Sequence, residues 1–149
     1  MDTSETYIHQ CDCVEVQQSC KVQSGDYFFC CCRDIEGYPD GYGVNVITSN
    51  DADHGNLDLI FSKTDVWLPR QDQIQEMIDD WPTIIIYHHG GEYLIEMKPE
   101  GEVVDEKGFK EMFGKYYAKS LEQAWLMLYV HQKHGKTWDK ERWVDLNCN

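Results

Sequence analysis

Ser120–Gly135 (SLEQAWLMLYVHQKHG) constrains the fold more than any other stretch of the chain. Ser120 followed by Gln123 has the spacing of a capping box, in which each side chain satisfies a backbone N–H that the first helical turn leaves without a partner. Gly135 suits the left-handed residue that closes a helix, and Lys133 and His134 suit the negative end of its dipole. Between these ends, Leu121, Ala124, Trp125 and Leu128 form one apolar stripe, and Leu126, Met127 and Val130 carry it well beyond the usual width. Such a helix must be covered on most sides.

Two other stretches are expected to supply the cover. Thr83–Tyr87 (TIIIY) is rich in β-branched residues, His88-His89-Gly90-Gly91 offers a turn, and Glu92–Lys98 (EYLIEMK) returns with alternating character, which together read as a hairpin. Lys136–Trp143 places Trp138 and Trp143 in a polar frame, as a terminal turn folding back over the helix would. Asp65–Pro82 (DVWLPRQDQIQEMIDDWP) reads as a second main helix, with Pro69 at its first position and Pro82 stopping it. In that helix Trp67, Ile74, Met77, Ile78 and Trp81 share one face. Asp72, Gln75, Glu76, Asp79 and Asp80 take the other.

The remainder reads as strands and loops. Cys13–Val22 and Asp26–Arg33 suggest a first hairpin, and Asp34–Gly43 is a loop through Pro39-Asp40-Gly41. Val44–Thr48 and Leu57–Ser62 form a further antiparallel pair around a polar turn at Ser49–Asn56. Val103–Phe113 is a short helix weakened by Gly108, and residues 1–10 are a flexible lead-in. With 149 residues, no internal repeat and no dividing linker, the economical architecture is one α+β domain over 1–149, an antiparallel sheet packed by two main helices.

Charge narrows the function. Thirteen Lys and Arg against 27 Asp and Glu give a net charge of −14. Residues 1–75 hold 13 of the acids and 4 of the bases. A surface of this sign repels nucleic acid and anionic membranes; it either simply keeps a protein soluble or meets a protein partner with a basic surface, imitation of DNA being one version of the second. The one local basic cluster, Lys133, Lys136, Lys140 and Arg142, is interrupted by Asp139 and Glu141 and reads as a solvated helix end. No window is apolar enough to span a membrane, and the first ten residues are polar and acidic where a signal peptide would be basic and then apolar, so a cytoplasmic location is expected.

There the seven cysteines stay reduced. Cys11 and Cys13, spaced by one residue, would put two sulfurs on one face of a strand, as would Cys30 and Cys32, and His9 is close by. Four thiolates on neighbouring strands would suit zinc, although no C-x₂-C knuckle is present. The competing reading packs these thiols in a core as small hydrophobes, Cys30–Cys32 following Phe28 and Phe29. A Cys/His enzyme would pair a cysteine with His88 or His89, but an acidic surrounding raises a thiol pKa rather than lowering it. Asp51, Asp53 and Asp58 approach a calcium-loop pattern, which fails because Gly55, Asn56 and Ser62 stand at its fifth, sixth and twelfth positions. Neither a nucleotide-binding glycine motif nor a nucleophile elbow occurs. No catalytic set is therefore assigned.

Two segments carry a resemblance: VWLPRQDQIQEMI at 66–78 and SLEQAWLMLYVHQKHGKTWDKERWV at 120–144. A WLP-x-Q-x-Q helix start with a later S-x-E-Q-A helix, a G-K-x-W and a closing tryptophan resembles small phage- and prophage-encoded proteins of Firmicutes. The resemblance spans about a quarter of the chain and implies a provenance without site residues. The expectation is a non-enzymatic accessory protein that acts by binding another protein, with a small zinc module as the alternative and a Cys/His enzyme as the second.

Overall fold

The computed structural model describes residues 1–21, 23–30, 43–47, 65–78, 83–98 and 115–146. The chain gathers into two compact units, one of Met1 with Thr3–Arg70 and one of Asp2 with Gln71–Asn149. Among the described residues are four helices and eight strands, every strand pairing antiparallel, in three small sheets. The class is α+β, as the alternation of hairpin and helix patterns predicts.

In the first unit the expected lead-in carries a helix, α1 (Glu5–Cys11). Ser4 starts it, its Oγ accepting the Tyr7 N–H at 3.2 Å, and Glu5 stands in the positively charged first turn. Tyr7, Gln10 and Cys11, spaced by three and four, form its buried face. The first arm of the expected hairpin is helical too. Within Cys13–Val22, residues Val14–Gln17 form α2, because alternation over four residues does not separate period 2 from period 3.6.

β1 (Tyr27–Cys30) falls within the predicted strand and pairs with β2 (Gly43–Val46) on one side and β3 (Val66–Leu68) on the other. β3 corrects the second main helix, expected from Asp65. The residue before a proline is driven out of the helical region, so Leu68 and the residues leading to Pro69 run extended, and Phe28 lies opposite Trp67 in the register. Phe28, Val66, Trp67 and Leu68 are buried and form the core of this unit.

The second unit begins with α3 (Gln71–Glu76), the surviving part of that helix, with Ile74 and the following Ile78 buried. β4 (Thr83–His89) and β5 (Glu92–Lys98) form the predicted hairpin. Its turn is shorter than expected: both histidines lie in the strand, and the loop is Gly90-Gly91 with φ of 62° and 81°. Positive φ at two successive loop residues is what a type I′ turn demands, and glycine supplies it without strain. β6 (Lys115–Ala118) pairs with β5, giving the order β4-β5-β6.

α4 (Leu121–His134) is the helix that the sequence marks at both ends. Ser120 Oγ accepts the Gln123 N–H at 3.1 Å, and Gly135 (φ 63°) returns its N–H to the His131 carbonyl. The reciprocal arm of the capping box reaches one residue further back than expected, Gln123 Oε1 accepting the Lys119 N–H at 3.2 Å. The Asp2 carboxylate completes this end, taking bonds from the Ser120 hydroxyl and from Gln123 Nε2, where a negative charge faces the positive end of the helix. Every position from Gln123 to Val130 is buried. The cover comes from α3, β5, β6 and β7 (Lys136–Trp138). β7 turns back through Asp139, whose Oδ1 accepts the Glu141 and Arg142 N–H groups, to pair with β8 (Trp143–Asp145). Trp138 and Trp143 meet edge to face across that pair, 5.2 Å between centroids. The expected loop at Asp34–Gly43, apart from Gly43, and the pieces at Ser49–Asn56, Leu57–Ser62, Asp79–Pro82 and Val103–Phe113 lie outside the described residues.

Two predictions follow from the packing of α4. Leu128→Ala, at a fully buried position, is expected to cost about 3 kcal/mol in urea unfolding, and Leu146→Ala, at an exposed one, less than about 0.5 kcal/mol; equal shifts would remove the helix from the core. Burial pulls His131 below its ordinary value of 6.5, so the folded chain keeps the imidazole neutral while the unfolded chain takes up a proton as pH drops through that value. Its contribution to stability is therefore full above pH 6.5 and is lost on acidification. Unfolding midpoints for the wild type should fall between about pH 7.5 and about pH 6, and His131→Gln should flatten that dependence.

Candidate functional site

The β4-β5-β6 sheet has one face turned inward and one turned outward. Residues directly opposite each other in an antiparallel register point to the same side of the sheet. Ile95 and Ala118 are buried on the inner side. On the outer side Tyr87, Leu94 and Tyr117 stand in one row across all three strands. Tyr87 is 47% exposed and Tyr117 60% exposed, with Leu94 half-buried between them. Next to this row Lys119 and Glu92 form an ion pair at 2.6 Å, and the lysine's hydrogen bond and charge hold the Glu92 carboxyl below the usual carboxylate range. Tyrosine combines a broad apolar ring with a polar tip, which makes such a row suited to contact with another protein.

Of the cysteines singled out by sequence, Cys11 and Cys13 are held by helices and do not share a strand. Cys11 is buried at the end of α1, and Cys13 stands at the N-cap position of α2 without a side-chain capping bond, its Sγ donating instead to the Gln10 carbonyl at 3.5 Å. The shared strand face proposed for these two is corrected by the helices that hold them. Cys30 is half-buried in β1, and Cys32 lies outside the described residues. Among the described residues no group of three His, Cys, Asp or Glu side chains is placed to hold a metal ion. Burial pushes the Cys13 thiol up to about 11, with the Glu15 charge adding to it, and pushes Cys20 up to about 12, with Asp26 adding. Both are protonated at neutral pH, the opposite of what a nucleophile requires. His88 and His89 are exposed, on adjacent and therefore opposite-facing strand positions, and His88 lies against the Tyr93 ring at 4.7 Å. The candidate calcium loop at Asp51–Asp58 lies outside the described residues.

The polar groups that the first unit does bring together are structural. Gln17 uses both ends of its amide on β3: Oε1 accepts the Trp67 N–H at 2.9 Å and Nε2 donates to the Trp67 carbonyl at 3.1 Å and to the Cys11 carbonyl at 2.7 Å. One side chain thus does for β3 what a neighbouring strand would do. The Asp26 side chain is fully buried, and its two oxygens accept from Arg70 Nη1 at 3.2 Å and from the Gln23 N–H at 2.8 Å. Arg70 also donates to the Gly25 carbonyl at 3.1 Å. Nothing in the local sequence marks these pairings, since Gln17 lies 50 positions from Trp67 and Asp26 lies 44 from Arg70.

Removing the guanidinium leaves the buried Asp26 carboxylate without this ion pair. Arg70→Ala is expected to destabilise the first unit by about 3 kcal/mol, and Asp26→Asn combined with Arg70→Ala by less than the single change, because the pair then lacks an uncompensated charge. Chemical denaturation followed by tryptophan fluorescence checks both. Comparison with protein families, with curated proteins and with solved structures returns no match to the chain, so these surfaces themselves carry the functional reading.

Proposed function

We propose that the chain is a non-enzymatic accessory protein that acts by binding another protein, with the outer face of the β4-β5-β6 sheet as its contact surface. The carrying observation is the row Tyr87, Leu94 and Tyr117, in which both tyrosines are exposed, at 47% and 60%. Buried tyrosines at the centre of an interface contribute strongly to affinity. The charge of −14 selects the partner's character: an apolar patch rimmed by Lys and Arg, drawn in by long-range attraction that salt weakens. The resemblance of 66–78 and 120–144 to phage and prophage proteins points to a host protein as that partner. Basic macromolecules fit this charge; nucleic acid and anionic lipid do not.

The test is affinity capture on immobilised wild-type protein from a Firmicutes host lysate, at low and at high salt, alongside a Tyr87→Ser, Tyr117→Ser double variant. The expected result is a stoichiometric protein with a basic surface, released by salt and at least about tenfold depleted on the double variant. Equal capture by both proteins would sink the assignment of this face. The zinc reading diverges on one measurement: a four-thiolate site retains close to one zinc per chain after gentle purification, whereas the protein-binding reading predicts less than about 0.2.

A further inference from the structure

We infer that β4 pairs antiparallel with β4 of a second copy of this chain, joining two three-stranded sheets into one of six strands. This goes beyond the protein-binding reading and does not rest on it. β4 stands at the end of its sheet, with β5 on one side and, among the described residues, no strand on the other. Strands left at an edge are ordinarily protected by a charge, a proline, a bulge or short length. β4 has none of these: it is seven residues long, Thr83 to His89, with no Asp, Glu, Lys, Arg or Pro, and its register against β5 runs without interruption from Thr83↔Lys98 to His89↔Glu92. The opposite edge strand, β6, is four residues long and begins with Lys115.

The phase of the hairpin makes β4 complementary to itself. A two-residue loop makes the pair flanking it, His89 and Glu92, a hydrogen-bonded one, and such pairs then alternate along the strands. Tyr87 and Ile85 accordingly direct their N–H and C=O toward β5, and Ile84, Ile86 and His88 direct theirs to the open edge. That outward set is symmetric about Ile86, the middle of the strand. A two-fold axis beside Ile86 therefore sets Ile86 opposite Ile86, Ile84 opposite His88 and His88 opposite Ile84. The three pairs exchange six backbone hydrogen bonds.

The uncharged composition of β4, and not the net charge, favours a second copy over a foreign strand as the occupant. Two chains of −14 repel each other over most of their surfaces, but this register opposes no two acids, and a basic partner strand would find no carboxylate on β4 to meet. One strand pair covers less than the roughly 1,000 Å² of a stable interface, so the dimer should be weak, half-formed at about 10 to 100 μM.

Sedimentation equilibrium of the full chain from about 5 to about 500 μM reads this directly. Wild type should follow a monomer–dimer curve, and Ile86→Lys, at a position 42% exposed, should lower the dimer fraction at least tenfold by setting two ammonium groups at the axis. Tyr117→Lys, on β6, should leave it unchanged. Hydrogen exchange keeps the test independent of any variant: the amides of Ile84, Ile86 and His88 should gain protection as concentration rises, while intervening amides stay constant. A monomer at every concentration, a dimer that survives in folded Ile86→Lys, one lost only in Tyr117→Lys, or amide protection independent of concentration would each overturn the pairing.

Discussion

Eight consecutive buried positions on one helix, Gln123 to Val130, set the terms for the second unit. A helix laid on a single surface buries about half of its circumference, so burial of a run longer than two turns needs partners from several directions. α3, β5, β6 and β7 are those partners. The ends must then be satisfied without solvent, and they are: Ser120, Gln123 and Asp2 close one, and Gly135 the other. Gln123 is buried at 4% exposure, which is tolerable because its amide is spent on Lys119 and Asp2.

The first unit solves a different problem. Its helices are short, α2 covering four residues, and its sheet ends at β3, an edge buried on both sides in the positions Val66 to Leu68. A buried edge leaves backbone groups without water, each costing on the order of 1–3 kcal/mol when unpaired. Side chains close the account there. Gln17 serves Trp67, Tyr7 donates to the Pro69 carbonyl, and Arg70 serves both Gly25 and Asp26. The sheet is thus held by apolar contact through Phe28, Trp67 and Leu68 and by polar contact along its rim.

What could be read in the sequence follows from the length scale of each signal. α4 and the β4–β5 hairpin are written in nearest-neighbour terms, a capping spacing, a C-terminal glycine and a diglycine loop, and both appear within a residue or two of their expected ends. α1 was hidden because three buried positions in a polar decapeptide are a faint pattern, although Ser4 and Glu5 do mark its start. β3 was hidden by Pro69, whose fixed φ suits a helix start but whose ring also forces the preceding residue to be extended. Gln17, Asp26 and Arg70 were illegible in principle. Their meaning lies in pairings across 44 to 50 positions, and no local rule reaches that far. The outer tyrosine row has the same character: alternation tells which residues share a face, but only the register tells that Tyr87, Leu94 and Tyr117 align.

The two proposed contact surfaces both belong to the sheet of the second unit, and packing explains why. α4 has spent its aromatic and methionine content, Trp125, Met127 and Tyr129 all being buried. The sheet cannot do the same. One of its faces is turned inward with Ile95 and Ala118, while β4 and β6 carry large apolar side chains on the other. Hydrophobic strands at an edge and on an open face raise the free energy of the isolated chain, and any contact that removes them from water recovers part of it. The surrounding charge then decides among candidates: −14 discourages indiscriminate self-association through the face, where the approach is broad and the repulsion additive. A strand edge has a narrow approach and supplies directed hydrogen bonds. On the proposed reading, face and edge would therefore serve different partners, the face a basic protein and the edge another copy.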